Sequence, residues 1–337
     1  MTVRSITDAD GGRRVGVARS QVLREPAELG VRRVALGLLA KVRDARDRLD
    51  DPNDRDALHD FRVALRRLRS WLRACRPHLR DTLRSKTERR LEQIADVTGT
   101  SRDLEVHIAW AKQARRGMSE RGRPGAAWLI RRLRDMKRDS DAELREVIDR
   151  HFAKAIRQAE DALEQYVARV ADDGPRFGET AADLVARESA EFQAAMHQVT
   201  AQGDRAEAHA ARIATKRLRY ALEGLASIGM DVDSITDELK DLQDALGELH
   251  DAQQFGSELA TMMSSLLANR DDGQDDDGVA RSPRSAKRDP IAGIRTMLRQ
   301  LRRTETKAFR AFEKTWKAED WSKAFGARLA TIEQELR

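Results

Sequence analysis

Two short segments of the chain carry histidine, arginine and lysine at the same spacing. One runs from Leu58 to Arg69 and the other from Ala208 to Arg219, and both fit the pattern H-x-x-R-[VI]-A-x-[RK]-R-L-R. Corresponding residues are 150 positions apart, as His59 and His209 illustrate. Arginine can hold phosphate oxygens through two planar contacts, and lysine adds a point charge. Segments of this composition therefore suit an anion that carries many phosphates.

If both segments are helical, a rotation of about 100° per residue sorts their side chains onto two faces. The basic faces would carry His59, Arg62, Arg66, Arg69 and Arg73 in the first copy, and His209, Arg212, Lys216 and Arg219 in the second. The apolar faces would carry Phe61, Leu65, Leu68, Leu72 and Cys75, and Ala211, Thr215, Leu218, Leu222 and Leu225. Arg67 and Arg217 also belong to the pattern and are candidate binding residues, although they fall outside the basic arc.

A row of like charges on one helix face is unfavourable by a few tenths of a kcal/mol for each i,i+4 pair. Between His59 and Arg90, eleven lysines and arginines stand against three acidic residues. Because the same basic stripe recurs in both copies, we interpret it as a binding surface for a polyanion and not as an ordinary solvated face. The histidines would join when protonated, so we expect tighter binding near pH 6 than near pH 8.

A second motif follows each basic segment and supports an internal duplication. The segment that ends in Gly99 to Asp103 matches the one that ends in Gly247 to Asp251, with corresponding positions at nearly the same spacing as in the first motif. Two motifs in the same order at nearly the same offset indicate a repeated structural unit. We predict a structural role for Asp103 and Asp251, in which each carboxylate accepts a hydrogen bond from Arg67 or Arg217.

Composition and periodicity predict an all-α fold. Aromatic residues make up 4% of the chain and charged residues 36%, a mixture typical of long amphipathic helices. Gly174 and Pro175 interrupt the helical pattern near the middle, so we predict two helical bundles related by a pseudo-two-fold repeat. The predicted parts are a flexible N-terminal tail over 1–26, a first bundle over 27–173, and a second bundle over 174–337 with a disordered acidic loop over 270–290.

The predicted helices can be given in chain order. They cover about 28–49, 55–76, 83–98, 102–116 and 126–170 in the first half. In the second half they cover about 177–200, 205–227, 234–246, 251–268, 291–317 and 322–336. Gly99 would end the third helix as a C-terminal cap.

Several classes of protein and site are disfavoured by the sequence. Cys75 is the single cysteine, which fits a reducing cytoplasm and excludes an internal disulfide. The longest apolar run, Val34 to Ala40, is far shorter than a membrane span, and the first residues lack a signal peptide. The His-Asp pairs at 59–60 and 250–251 are not repeated in both copies, so we expect no metal site. We also expect no cofactor, because no glycine-rich phosphate loop is present.

The two motifs resemble those of the CHAD family, a histidine-containing α-helical domain, over about residues 28–330. The resemblance implies a pair of four-helix bundles with a basic central groove or pore. It also implies non-catalytic binding of inorganic polyphosphate and association with polyphosphate-rich granules. By position, the family's basic faces correspond to His59, Arg62, Arg66 and Arg69, and to His209, Arg212, Lys216 and Arg219. Glu223 stands where the first copy has Arg73, so we expect the first copy to bind more strongly.

Two other functions remain open from the residues. The same basic stripes would serve a helical nucleic-acid-binding protein, or an enzyme that cleaves phosphoanhydrides. Only Trp71 and Tyr220 lie beside the stripes, and base stacking usually requires more aromatic residues, which favours a ligand with phosphates and no bases. Secondary binding residues are predicted on the long helices at Lys154, Arg157, Lys307 and Arg310.

Overall fold

The computed structural model describes residues 19–337 apart from 52, 55, 80–81, 166–173, 272–289 and 319–320. Within these residues the chain is helical and forms no strand. The helices are α1 (Arg19–Leu23), α2 (Ala27–Asp47), α3 (Ala57–Ala74), α4 (Ser85–Arg116), α5 (Arg123–Glu164), α6 (Phe177–His197), α7 (Arg205–Ala226), α8 (Asp233–Asp271), α9 (Ile291–Trp316) and α10 (Trp321–Leu336). None of the helices described here is long and apolar enough to cross a membrane. Because the described residues form helices and no strand, the prediction of an all-α fold is confirmed.

Helices α4 and α8 run straight through the glycines at which the sequence predicted breaks. Gly99 lies inside α4 and Gly247 lies inside α8, so the predicted division of each into two helices is wrong. A glycine inside a helix costs about 1 kcal/mol relative to alanine. The apolar residues on either side outweigh that cost, since Ile94 and Leu104 of α4 are both buried and each contributes about 1.5–3 kcal/mol.

The prediction of a flexible N-terminal tail is wrong for residues 19–26, the part of the tail that the structure describes. Arg19–Leu23 form α1, and the side chain of Val22 is buried in the core. The backbone N–H of Phe177 donates to the carbonyl of Glu25 at 2.8 Å, which ties this segment to the start of α6. Residues 1–18 of the predicted tail, and 272–289 of the predicted acidic loop, lie outside the described residues.

The helices of the two halves follow one another in the same order. Helices α2, α3, α4 and α5 of the first half correspond to α6, α7, α8 and α9 of the second. Buried positions recur along with the helices: when Gly125 of α5 is aligned with Gly293 of α9, Leu129 aligns with Met297, and both are fully buried. The two halves thus place their apolar residues on equivalent helix faces. The pseudo-two-fold relation between two bundles stays a prediction.

The apolar faces of the two halves together form two hydrophobic cores. The larger core contains α2, α3, α6, α7 and α10 together with one end of each of the long helices α4, α5, α8 and α9. The other ends of those four long helices form the second core, around Leu104, Leu133, Phe255 and Met297. Helices α5 and α9 pack backbone to backbone at Gly125 and Gly293. Each core is therefore built from both halves of the chain.

Candidate functional site

Helices α3 and α7 turn their predicted apolar faces into the larger core. Phe61, Leu65 and Leu68 of α3 are fully buried, and so are Ala211 and Leu218 of α7. The other predicted apolar residues are buried as well, which confirms the predicted faces: Leu72, Cys75, Thr215, Leu222 and Leu225. The two helices also pack against each other. This packing brings the basic faces of α3 and α7 together where the two helices meet.

Four cations from the two helices converge at this junction. They are Arg62 and Arg66 of α3 and Arg212 and Lys216 of α7, which we call the central cluster. Burial, followed by the charges of Arg212, Arg66 and Arg62, lowers the pKa of Lys216 from 10.5 to about 6. Burial and the neighbouring Arg62 and Arg212 also lower the pKa of Arg66. The cluster thus holds more positive charge than its surroundings neutralise, and Lys216 is largely uncharged at neutral pH.

A carboxylate lies beside one arginine of each helix. The guanidinium of Arg62 is 3.0 Å from the carboxylate of Asp103, and that of Arg212 is 3.6 Å from Asp251. The two pairs occupy equivalent positions in α4 and α8. The prediction that Arg67 and Arg217 are the partners of these two aspartates is therefore wrong. The basic arc faces α4 and α8, and Arg67 and Arg217 lie about 100° round the helix from Arg66 and Lys216.

Arg67 and Arg217 contact other carboxylates. Arg67 pairs with Glu223 of α7 at 2.5 Å, and Arg217 pairs with Glu191 of α6 at 3.2 Å. Arg73 lines a depression of about 290 Å³ together with Arg217. These residues lie outside the central cluster.

Arg69 and Arg219, further along the two basic faces, are also neutralised. Arg69 pairs with Glu92 at 3.1 Å. Arg219 is buried, pairs with Glu223 at 2.9 Å and lies over the ring of Tyr220, with its guanidinium carbon 5.0 Å from the ring centre. An anion would have to displace a carboxylate to reach either residue. Within the central cluster, by contrast, Arg66 and Lys216 have no ion-pair partner among the described residues, and only Arg62 and Arg212 are paired.

Each predicted histidine is accompanied by a residue that the sequence analysis did not assign to the site. His209 lies against His250 of α8, with ring centroids 4.6 Å apart. Burial, followed by Arg212 and Lys216, lowers the pKa of His209. Burial and then the charge of Arg102 lower the pKa of His59. Arg102 and His250 occupy equivalent positions in the second repeated motif, and that alignment was the signal that could have identified them.

Gly99 of α4 and Gly247 of α8 lie next to Arg62 and Arg212 of the central cluster. A Cβ atom at Gly99 would lie 3.8 Å from the guanidinium of Arg62, and one at Gly247 would lie 3.6 Å from that of Arg212. These are ordinary contact distances, so a side chain would touch the guanidinium and occupy the space beside it. Because neither glycine has a side chain, each arginine can lie close against the helix that carries the glycine.

The four predicted secondary residues lie on the long helices α5 and α9, and none of them belongs to the central cluster. Lys154 and Arg157 are exposed on α5, whereas Lys307 and Arg310 are exposed on α9. Within the described residues, no group of three His, Cys, Asp or Glu side chains is placed to hold a metal ion. Burial raises the pKa of the Cys75 thiol to about 12, consistent with a packing role.

Comparison with known proteins gives the family. The CHAD domain family model matches residues 33–260, and the chain belongs to that family. PptA from Streptomyces chartreusis is similar in fold, with a TM-score of 0.66 and 15% identity over 87% of this chain and 100% of its own. The CHAD domain from the plant Ricinus communis has a TM-score of 0.60 and 14% identity, over 96% and 97% of the two chains. No curated protein sequence matches the chain.

Proposed function

We propose that the chain binds inorganic polyphosphate at the central cluster and does not transform it. The observation that carries this proposal is the convergence of Arg62, Arg66, Arg212 and Lys216 from two helices. Lys216 has no carboxylate within ion-pair distance among the described residues, and its pKa is lowered chiefly by burial and by the neighbouring arginines. A dense anion would relieve that repulsion, and the energy released would contribute to affinity.

A chain of phosphates suits the cluster better than a nucleic acid. The aromatic residues beside it, Trp71 and Tyr220, are 1% and 2% exposed, so they offer no surface on which bases could stack. The accessible groups are guanidinium, ammonium and imidazole groups, which recognise phosphate oxygens. CHAD membership supports the same ligand, through the resemblance that implies polyphosphate binding.

We also propose a location for the protein in the cell. A non-catalytic polyphosphate-binding protein is expected in the cytoplasm, where it would associate with polyphosphate-rich granules. An enzyme that cleaves phosphoanhydrides is the competing function. Release of inorganic phosphate from polyphosphate, assayed with and without Mg²⁺, would support that competing function and contradict ours.

The direct test neutralises the centre of the cluster. We expect Arg66→Gln with Lys216→Gln to weaken long-chain polyphosphate binding by tenfold or more, because charge-assisted contacts are each worth about 1.5–3 kcal/mol. Affinity should be measured by titration at several salt concentrations, with duplex DNA and single-stranded RNA alongside. Log affinity should fall with log salt by about 0.7 for each phosphate contact, the slope that single-stranded nucleic acids show.

A matched control separates the cluster from net charge. Lys41 of α2 and Arg145 of α5 are exposed and have no ion-pair partner among the described residues. Lys41→Gln with Arg145→Gln removes at least as much charge from the free protein at neutral pH, where Lys216 is largely uncharged, and should still leave affinity within about twofold. Equal losses in the two double variants, or tighter binding of DNA than of polyphosphate, would refute the proposal.

A further inference from the structure

Helix α9 carries a second row of cations on its outer side. Seven lysines and arginines of this helix are exposed, and we call them the α9 stripe: Arg295, Arg299, Arg302, Arg303, Lys307, Arg310 and Lys314. At about 100° per residue they fall within an arc of about 140°. At 1.5 Å per residue the stripe is about 28 Å long. It therefore forms a continuous, linear positive surface.

The charge of the α9 stripe is not neutralised within the described part of the chain. No carboxylate there lies within ion-pair distance of any of the seven cations, and the acid on the same arc, Glu313, pairs with Lys317 at 2.7 Å. Arg302, Arg303, Lys307 and Arg310 line a shallow depression of about 450 Å³. Like charges at i,i+4 destabilise a helix, so an unpaired stripe of this length has a cost.

The fold itself does not require this stripe, because the equivalent face of α5 lacks it. When Gly125 is aligned with Gly293, that face of α5 carries Arg131, Arg134 and Arg138 but also Asp135, Asp139 and Glu146. There Arg138 pairs with Asp135 at 2.7 Å. Since the two helices bury equivalent residues, a purely structural role would predict the same mixed face on both. The excess of cations is particular to α9.

We propose that the α9 stripe is a second binding surface for the same linear phosphate polymer, which it engages outside the central cluster. This inference rests on the proposed function and adds a dependence on chain length. A long chain held at the cluster would be presented to the stripe at high effective concentration, so its affinity would exceed that of a short chain.

The surroundings of the stripe favour such a polymer over other anions. The apolar side of α9 is buried, with Ile294, Met297 and Phe312 fully inside the cores. The large hydrophobic residues that are exposed in the described chain lie on other helices, so α9 has no apolar surface to insert into a membrane. The stripe also has no aromatic residue on which a base could stack.

The test compares two ligands and two matched variants. The ligands are long-chain polyphosphate and tripolyphosphate, whose three phosphates are too few to follow the α9 stripe over its length of about 28 Å. The first variant is Arg299→Gln, Arg302→Gln and Arg303→Gln on α9. The control is Arg131→Gln, Arg134→Gln and Arg138→Gln, which removes the same charge from α5. Glutamine favours helix about as well as arginine, so folding should be preserved in both.

We expect the α9 variant to bind long-chain polyphosphate about tenfold more weakly than the control variant does, while both bind tripolyphosphate as the wild type does. The salt dependence of long-chain binding should also fall by about 0.7 for each lost contact. Equal long-chain affinities in the two variants would refute the second surface alone. Loss of duplex DNA binding without loss of polyphosphate binding would assign the stripe to nucleic acid instead. Failure of the wild type to bind either polyphosphate would refute the proposed function as well.

Discussion

At the residue scale, the arginines of the central cluster differ in how they are held. Arg62 and Arg212 have Asp103 and Asp251 as partners, whereas Arg66 is largely buried near Tyr220, 5.6 Å from its ring centre. Asp103 and Asp251 are more than half exposed. Exposed pairs of this kind are worth about 0–1 kcal/mol to stability. Their larger effect should be on ligand binding, because each carboxylate competes with phosphate for its arginine.

We therefore expect Asp103→Asn and Asp251→Asn each to raise polyphosphate affinity by about two- to fivefold, the equivalent of one exposed ion pair. Urea unfolding should show a loss of stability below about 1 kcal/mol. Affinity and unfolding are to be measured on the same preparations. A fall in affinity would mean that the carboxylates orient the arginines for binding and do not compete with the ligand.

Lys216 should make the stability of the ligand-free protein depend on pH. Its pKa is about 6 in the folded protein and 10.5 ordinarily, so the unfolded chain binds more protons between these values. Stability from this residue therefore falls as pH is lowered from about 10 to 6, by at most about 1.4 kcal/mol per pH unit. Lys216→Met should remove that slope. In urea unfolding at pH 6, 7, 8 and 9, the variant should be more stable than the wild type by an amount that grows as the pH is lowered. A difference in stability that does not change with pH would contradict the lowered pKa of Lys216.

Polyphosphate binding should have the complementary pH dependence. The pKa values of Lys216, His209 and His59 are lowered in the free protein by burial and neighbouring cations, and a bound polyanion would raise them. Binding then takes up protons, so affinity should be higher near pH 6 than near pH 8. Lys216→Met should weaken this dependence as well as the affinity. Titrations of wild type and variant at both pH values measure the effect, and equal affinities of the wild type at the two would contradict it.

At the element scale, the approach of α3 to α7 depends on a glycine. A Cβ atom at Gly224 of α7 would lie 2.7 Å from the ring of Trp71 on α3. Trp71 cannot easily move, because it is buried and its indole N–H donates to the carbonyl of Val31 at 3.0 Å. This contact sets the distance between the helices that carry the central cluster.

We expect Gly224→Ala to destabilise the protein by about 1–3 kcal/mol, as overpacking in a rigid core does. The control is Gly37→Ala in α2, where nothing lies within 4 Å of the added methyl group. That change should stabilise the protein by about 0.4–1 kcal/mol. Thermal and urea unfolding of both variants would test the contrast, and similar behaviour of the two would show that α3 can shift freely.

At the scale of the whole molecule, the second core depends on a crossing between the two halves. A Cβ atom at Gly125 of α5 would lie 2.7 Å from the Cα atom of Gly293, and one at Gly293 of α9 would lie 2.8 Å from the Cα atom of Gly125. Each would also overlap a backbone carbonyl oxygen, that of Pro290 and that of Gly122 respectively. Backbone cannot yield as a flexible side chain does. Any side chain at either position must separate α5 from α9.

We expect Gly125→Ala and Gly293→Ala each to cost more than about 1 kcal/mol of stability. Together they should cost less than the sum, because one separation of the helices relieves both clashes. A double-mutant cycle by urea unfolding measures this coupling. Additive losses would indicate that the two glycines pack independently. Binding at the central cluster should persist in the folded variants, since the crossing lies in the other core.

Local periodicity predicts most of the helices and the faces that they bury. Apolar residues every three or four positions must share one face of a helix, so Phe61, Leu65 and Leu68 were predicted as core and are buried. The same reasoning placed Arg62 and Arg66 on one basic face. It failed at Gly99 and Gly247, because glycine's local preference against helix was outweighed by packing from outside the segment.

The charge state and partners of the site residues were decided only by the tertiary structure. Which carboxylate neutralises Arg62, Arg67 or Arg69 depends on distances between helices, and these distances are not encoded in any one segment. The lowered pKa of Lys216 likewise arises from burial and from arginines that include two on α3, in the other half of the chain. Helical periodicity is a property of neighbouring residues, whereas electrostatic interactions join residues that only folding brings together.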